Sequence, residues 1–260
     1  MSTDSVIKYR KSIVTFIDIL GFREIIANKD PSWIAQTLQL VKKYSQGTAD
    51  GPVVNPGEVE CVTFSDSVVR VCPIDAEQPL GSLFFELISL VHLQFELAHR
   101  GVFLRGGLTV GDVYVDKSTV FGPAMVRAYE LESSFAIYPR IVVDPVVFKE
   151  YFSQVAMQGH PHDANVDFEY IDNLLECAED QIYFVDYLRQ GKGEMDHPEE
   201  FQSYLKDHRE RIASSLSEFS TLNRAKQKYL WLANYHNQVA NAEYPLSDEL
   251  QVQIADYYVT

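Results

Sequence analysis

The chain is poor in cysteine, short of basic residues and without a long apolar run. Cys61, Cys72 and Cys177 are the only cysteines in 260 residues. Their number is odd and their spacing fits no metal-binding pattern, so they read as free thiols of a reducing cytosol rather than a disulfide framework or a zinc site. Lys and Arg total 22 against 37 Asp and Glu, a formal net charge of −15. A general nucleic-acid binder needs a basic footprint, and that balance excludes one. It also argues against docking on anionic lipid, but a nucleotide substrate stays possible because local cations and bound metal ions reverse the field inside a pocket. The longest apolar stretch, Leu83 to Leu97, is interrupted by Glu86, His92, Gln94 and Glu96 and is too short and too polar to span a bilayer. The opening Met1-Ser2-Thr3-Asp4 is polar and acidic, unlike a signal peptide. Together these features predict a cytoplasmic protein with neither membrane nor nucleic acid as partner. Walker-type Gly-Lys-Ser, Gly-x-Gly-x-x-Gly and Gly-x-Ser-x-Gly patterns are all missing, which removes the P-loop, dinucleotide-binding and serine-hydrolase readings.

What is present is an ordinary globular composition, with 46% apolar and 23% charged residues. Ser12 to Asp18 predicts a buried strand ending at an aspartate. Asp30-Pro31 reads as a helix cap followed by proline at the first helical position. Gly47 to Gly57 is loop-like. Glu58–Phe64 and Val68–Cys72 predict a tight hairpin with Asp66 at or next to its tip. A long helix is expected from about Leu80 to His99, then a strand pair over Val102–Val115, a helix over Pro123–Ser133 and a strand over Arg140–Val143. Asp144-Pro145 opens a short helix, and Phe168–Ile171 and Gln181–Tyr187 are candidate late strands. Two helices, about Pro198–Ser214 and Leu216–Ala242, close the chain. The expected fold is α+β, with a largely antiparallel sheet and helices packed on it. Residues 1–190 form its main part and 191–260 a helical C-terminal extension.

Asp18 and Asp66 stand out by position, because adjacent strand ends bring such residues within a few ångströms. Paired carboxylates repel unless a cation lies between them. A divalent metal shared by two carboxylates and substrate phosphates is the usual hard-cation phosphoryl-transfer site. An aspartate at a strand end is otherwise most often a turn former or a cap. His160-Pro161-His162-Asp163 also mimics a metal site, but it lies in a polar loop with no further partner.

The surroundings of the two aspartates resemble the class III nucleotidyl cyclases. Phe16-Ile17-Asp18-Ile19-Leu20-Gly21-Phe22 matches the family's first metal motif throughout. Phe64-Ser65-Asp66-Ser67 resembles the second, with Ser in place of the usual Gly. Arg105-Gly106-Gly107 with Gly111, and then Phe121-Gly122, follow in the family's order. The resemblance implies a cyclase-like, ferredoxin-type sheet and two divalent ions, Mn²⁺ or Mg²⁺, at Asp18, Ile19 and Asp66. It further implies activation of the ribose 3′-hydroxyl with neutralisation of the triphosphate, phosphate contacts from Arg105, and phosphate-facing main-chain N–H groups from Ile19 to Phe22, Gly21 included. It also implies a homodimer with shared sites.

Departures from the pattern narrow the substrate. The purine-reading position four residues before the second aspartate is Val62, and the usual Asn/Arg transition-state pair aligns with Val126 and Glu130. Phe121-Gly122-Pro123-Ala124, Ala128-Tyr129-Glu130-Leu131-Glu132, Pro139-Arg140-Ile141 and Lys228-Tyr229-x-Trp231-Leu232-x-x-Tyr235-His236-Asn237 resemble the bacterial Pycsar pyrimidine cyclases. That resemblance implies UTP as substrate, with CTP as the alternative, and a cyclic nucleotide read by a separate effector. A catalytically dead nucleotide sensor is a further alternative. Arg140 is then the candidate replacement for the lost arginine, Phe16 and Val62 line the nucleotide, and Tyr129, Glu130 and Glu132 are packing and surface residues of one helix.

Overall fold

Strand β1, Arg10–Ile19, is the axis of the sheet. Its β-branched and aromatic residues suit extended backbone, and alternate side chains leave on opposite faces. Ile13, Ile17 and Ile19 enter the main core on one face, while Val14 and Phe16 enter a smaller core on the other. Asp18 follows Phe16 on that second face.

The computed structural model describes residues 7–46, 59–76, 78, 80–159, 164–219 and 222–258. The strands after β1 are β2 Glu60–Phe64, β3 Ser67–Pro73, β4 Leu104–Asp116, β5 Thr119–Phe121, β6 Ile141–Val143, β7 Leu175–Cys177 and β8 Tyr183–Val185. They lie in the order β2-β3-β1-β4-β6-β8-β7, with β5 folded back on β4. β1 is antiparallel to β3 on one side and to β4 on the other. Among the described residues only β4 and β6 pair in parallel.

The helices are α1 Phe22–Asn28, α2 Pro31–Ser45, α3 Ser82–His99, α4 Pro123–Ser134, α5 Pro145–Ser153, α6 Ala164–Asn173, α7 Tyr187–Gln190, α8 Pro198–Ser217 and α9 Arg224–Glu243. With α2 and α3 as its helices, the run from β1 to β4 is the β-α-β-β-α-β ferredoxin-like unit, in an α+β fold with a largely antiparallel sheet. Asp30 caps α2, its Oδ1 accepting from Ser32 N at 2.8 Å, as Asp30-Pro31 predicts. Asp144 does the same for α5 through Val146 N at 3.4 Å.

Three predicted elements come out differently, and one strand has no counterpart in the expectation. Val102–Val115 is no strand pair: a single strand of 13 residues crosses the whole sheet, and its hairpin partner is β5. Phe168–Ile171 is helical, inside α6. Phe168 and Ile171 are three apart and share one helical face, where Phe168 meets the rings of Phe148, Tyr151 and Phe152 and Ile171 enters the core. β7 was not foreseen, and of Gln181–Tyr187 only Tyr183–Val185 is strand. The loop expected over Gly47–Gly57 and the histidine cluster His160–Asp163 lie outside the described residues.

A buried ion pair ties the layers together. Arg70 on β3 donates to both oxygens of Glu86 on α3, through Nε at 2.9 Å and Nη2 at 2.7 Å. It also donates to the main-chain oxygen of Ser45 at the end of α2, and Thr15 Oγ1 on β1 donates to Glu86 Oε1 at 2.8 Å. Both charged side chains are essentially inaccessible. Removing one partner strands the other charge in a dry core, so Arg70→Met is expected to destabilise the fold by about 3–5 kcal/mol, read as the shift in urea denaturation.

Helices α8 and α9 build a second core against Phe95 and Ala98 of α3, Phe103, Leu20, and the β8–α7 segment. Inside it runs a chain of hydrogen bonds. Tyr187 Oη is 2.9 Å from His208 Nε2, the two Nδ1 atoms of His208 and His236 are 3.0 Å apart, and His236 Nε2 is 2.8 Å from the Leu250 carbonyl. A carbonyl only accepts, so His236 Nε2 carries a proton and its Nδ1 accepts from His208. Two neutral rings satisfy every bond in this chain. Burial depresses both: His236 is pushed down to about 4, and His208 lies well below its ordinary 6.5, with the His236 ring adding to the effect. Below pH 6.5 the unfolded chain takes up protons that the native rings refuse. Stability is therefore whole above pH 6.5 and falls progressively from there towards pH 4. Melting temperatures across that range check it, and His236→Asn should flatten the decline.

Candidate functional site

The register of three strands assembles the site. Arg105 on β4 lies directly opposite Asp18. Its Nη2 and Nε donate to Asp18 Oδ2 at 2.9 and 3.3 Å, and Ser67 Oγ on β3 donates to Asp18 Oδ1 at 3.1 Å. The β2–β3 hairpin turns through Ser65, whose φ of +54° is left-handed backbone that a side chain adopts only at some cost. That turn lays the Asp66 carboxyl within hydrogen-bonding reach of Asp18. Partial burial raises the Asp66 pKa first, then the charge of Asp18 and the hydrogen bond between the two carboxyls, against a weaker lowering by the Asp66 main-chain N–H and then the Ser65 hydroxyl.

A third carboxylate, unnoticed in the sequence, joins them from the opposite layer. Helix α4 lies directly on β4 at Gly107, where a Cβ would stand 2.3 Å from that of Leu131. Only glycine permits that approach, which carries Glu132 down to the sheet with its side chain 4% exposed. Its Oε1 lies 2.6 Å from Arg105 Nη2, yet it is not aligned to accept a hydrogen bond. Burial raises the Glu132 pKa, opposed by the Arg105 charge. Asp18, the half-buried Lys228 of α9, and Asp66 are the other charges facing this group. Spacing alone hid Glu132, which reads as one more surface acid of an amphipathic helix; its i+4 relation to the buried Ala128 was the available signal.

The remaining expected site residues divide. Phe16 and Val62 share the aspartate face, for Val62 pairs with Val69 and Val69 with Phe16, one step along from the row that holds Ser67, Asp18 and Arg105. A neutral apolar row thus borders a charged one, with Phe16 met edge-on by Tyr129 at 5.4 Å. Ile19 points the other way, its side chain buried in the main core, so only its main chain faces the site. Gly21 is left-handed, φ +73°, and turns the chain into α1, while Phe22 packs on the main core. The expected run of free N–H groups from Ile19 to Phe22 is broken, because Leu20 N donates to the Phe103 carbonyl at 2.8 Å.

Arg140 is engaged by other partners. Its guanidinium is buried and bonded to Asp180 at 2.5 and 3.2 Å. It also stacks over Tyr138, Phe184 and Trp231 at 5.5–5.8 Å. Its Nε has no hydrogen-bond partner, but Asp180 and the three rings hold the guanidinium in place, unlike a mobile transition-state group. Val126 and Glu130 project outward from α4.

The donor set suits a hard divalent cation: two carboxylates held side by side with part of their repulsion unrelieved. Among the described residues no three His, Cys, Asp or Glu side chains gather into a metal cage. An ion at Asp18 and Asp66 therefore takes its other ligands from main chain, water or substrate phosphate.

No family model and no curated protein matches the chain. Among solved structures it is similar to a guanylyl cyclase at 13% identity, covering 69% of this chain and 93% of that one, with a TM-score of 0.45. A bacterial light-regulated adenylyl cyclase is similar at 14% identity, 65% and 59% coverage, and a TM-score of 0.44. A class III adenylyl cyclase-like ATP-binding protein from Pseudomonas aeruginosa is similar at 14%, 63% and 40% coverage, and a TM-score of 0.38. Likeness this distant carries no assignment of activity.

Relief of the carboxylate repulsion is measurable. Asp66→Asn is expected to raise the melting temperature of the metal-free protein and to abolish the further rise that millimolar Mn²⁺ produces in the wild type, both read by differential scanning fluorimetry.

Proposed function

We propose that the chain is a nucleotidyl cyclase of the class III type, acting on a pyrimidine ribonucleoside triphosphate, UTP before CTP, and releasing pyrophosphate. The observation that carries this reading is the carboxylate pair Asp18–Asp66, set beside Arg105 at the end of the central strand. Mn²⁺ or Mg²⁺ bound there would supply charge neutralisation and a more acidic ribose hydroxyl. Asp18 and Asp66, with the main chain of Ile19, would hold the ions. Arg105 would be free to take a phosphate oxygen if the ions displaced it from Asp18, with Glu132 still 2.6 Å from its Nη2. The neighbouring row of Val62, Val69 and Phe16 is buried and carries no Lys or Glu to read a purine edge, which is the ground for preferring a pyrimidine.

Exposed apolar side chains support a second copy of the chain as partner. Val126, Tyr129, Phe64 and Phe121, all large and 41–58% exposed, sit on α4, β2 and β5. A homodimer would cover them and complete each site from the partner, as two-fold assembly allows. In this reading residues 1–190 are the catalytic part and 191–260 its extension. The protein works in the cytoplasm, and its cyclic nucleotide is read by a separate effector in anti-phage defence. No helix of the described residues is long and apolar enough to cross a membrane. The loss of Arg140 to Asp180 favours one second reading, a nucleotide-binding protein without turnover.

Incubation with each NTP and Mn²⁺ separates the two. The cyclase reading expects cyclic UMP or cyclic CMP by chromatography, cut by at least roughly 100-fold in Asp18→Ala and in Asp66→Ala. Nucleotide binding by calorimetry with no cyclic product from any NTP overturns it in favour of the inactive binder.

A further inference from the structure

The charge that the sheet residues fail to supply comes from the C-terminal helices. Helix α9 begins at Arg224, with Asn223 Oδ1 accepting from Lys226 N at 2.9 Å. One turn on, Tyr229 meets the ring of Phe103 edge-on at 6.1 Å. Phe103 is the residue whose carbonyl holds the Leu20 N–H. The Tyr229 hydroxyl lies 3.8 Å from where a Cβ on Gly21 would stand. The start of α9 is thus fixed against the β1–α1 turn, beside the two aspartates.

Lys228 precedes Tyr229 and is half-buried, and its charged neighbours are Arg105, Glu132, Asp18 and Glu24. Arg105 already engages Asp18 and Glu132. Among the described residues no carboxylate forms an ion pair with Lys228. A partly desolvated ammonium beside three carboxylates, bonded to none, loses hydration without regaining it from a partner. Its pKa is lowered accordingly, by burial first and by Arg105 second. The group is therefore poised for an anion that arrives from solution. Divalent ions on Asp18 and Asp66 cancel the acid that now faces it, and a triphosphate brings the oxygens.

We infer that Lys228 is a substrate-binding residue, its ammonium taking a phosphate oxygen of the triphosphate held at Asp18 and Asp66, so that the C-terminal extension is part of the active site. Lysine suits the task as a compact point charge on a flexible stem. The inference rests on the reading above only in placing a metal-bound polyphosphate at the aspartate pair.

Calorimetry on the full chain with Mg²⁺ and inorganic tripolyphosphate tests it, alongside steady-state turnover of UTP and CTP. Lys228→Met should weaken tripolyphosphate binding by roughly 10- to 100-fold, with Mg²⁺ binding and the melting temperature unchanged. If that variant melts early, Lys228→Gln gives the same readout with a polar head retained. Wild-type affinity in a folded variant overturns the inference, and so does a wild type that binds no tripolyphosphate. The two readings fail separately. Polyphosphate binding that depends on Lys228, with no cyclic product from the wild type, sinks the cyclase and keeps Lys228. Cyclic product with a kcat/KM untouched by Lys228→Met does the reverse.

Discussion

Everything at the site depends on the register of β1. Because strand side chains alternate, its odd positions, Ile13, Thr15, Ile17 and Ile19, serve the helix-covered core, and its even positions, Val14, Phe16 and Asp18, serve the opposite face. A slip of one residue would drive Asp18 under α3 and move Ile17 and Ile19 to the α4 side, out of the main core. The apolar set on the core side therefore specifies where the carboxylate goes. The buried Arg70–Glu86 pair reinforces that choice, since Thr15 of β1 is bonded into it.

Around Asp18 the structure tolerates an unfavourable arrangement. Asp66 is brought against a like charge by a turn whose Ser65 is itself left-handed, and Glu132 is buried close by. Arg105 compensates part of this from the middle, contacting Asp18 and Glu132 at once. A site that is short of positive charge in the free protein is suited to take up cations and then an anionic substrate. That is the physical content of the functional proposal, and it does not depend on any solved neighbour.

The two cores divide the work. The main one secures α2 and α3 under the sheet. The second holds α8 and α9 against the far end of α3 through neutral histidines and buried tyrosine hydroxyls, a network intolerant of added protons. Docking of the tail is therefore expected to weaken in acid, and Tyr229 and Lys228 depend on it for their positions. Arg140 shows the reverse case: an arginine at the right place in the chain, beside Gly106 in the backbone, whose side chain is captured by Asp180 and three rings.

The sequence by itself determined the strand and helix periods of the first half, the caps at Asp30 and Asp144, the hairpin tip at Asp66 and the pairing of acidic positions 18 and 66. Each of these is a local signal: alternation, a capping oxygen before proline, a turn between β-rich runs. It misjudged Phe168–Ile171, where four apolar-rich residues fit either period, and the interval 102–115, where glycines that admit α4 look like turn formers. Tertiary structure alone decided that Glu132 is buried beside Arg105, that Leu20 N–H is spent on Phe103, that Arg140 is enclosed, and that Lys228 reaches the site from a helix more than two hundred residues along the chain. These facts depend on which faces meet after packing. No local pattern encodes them, because the energy that settles them lies in contacts between elements rather than within one.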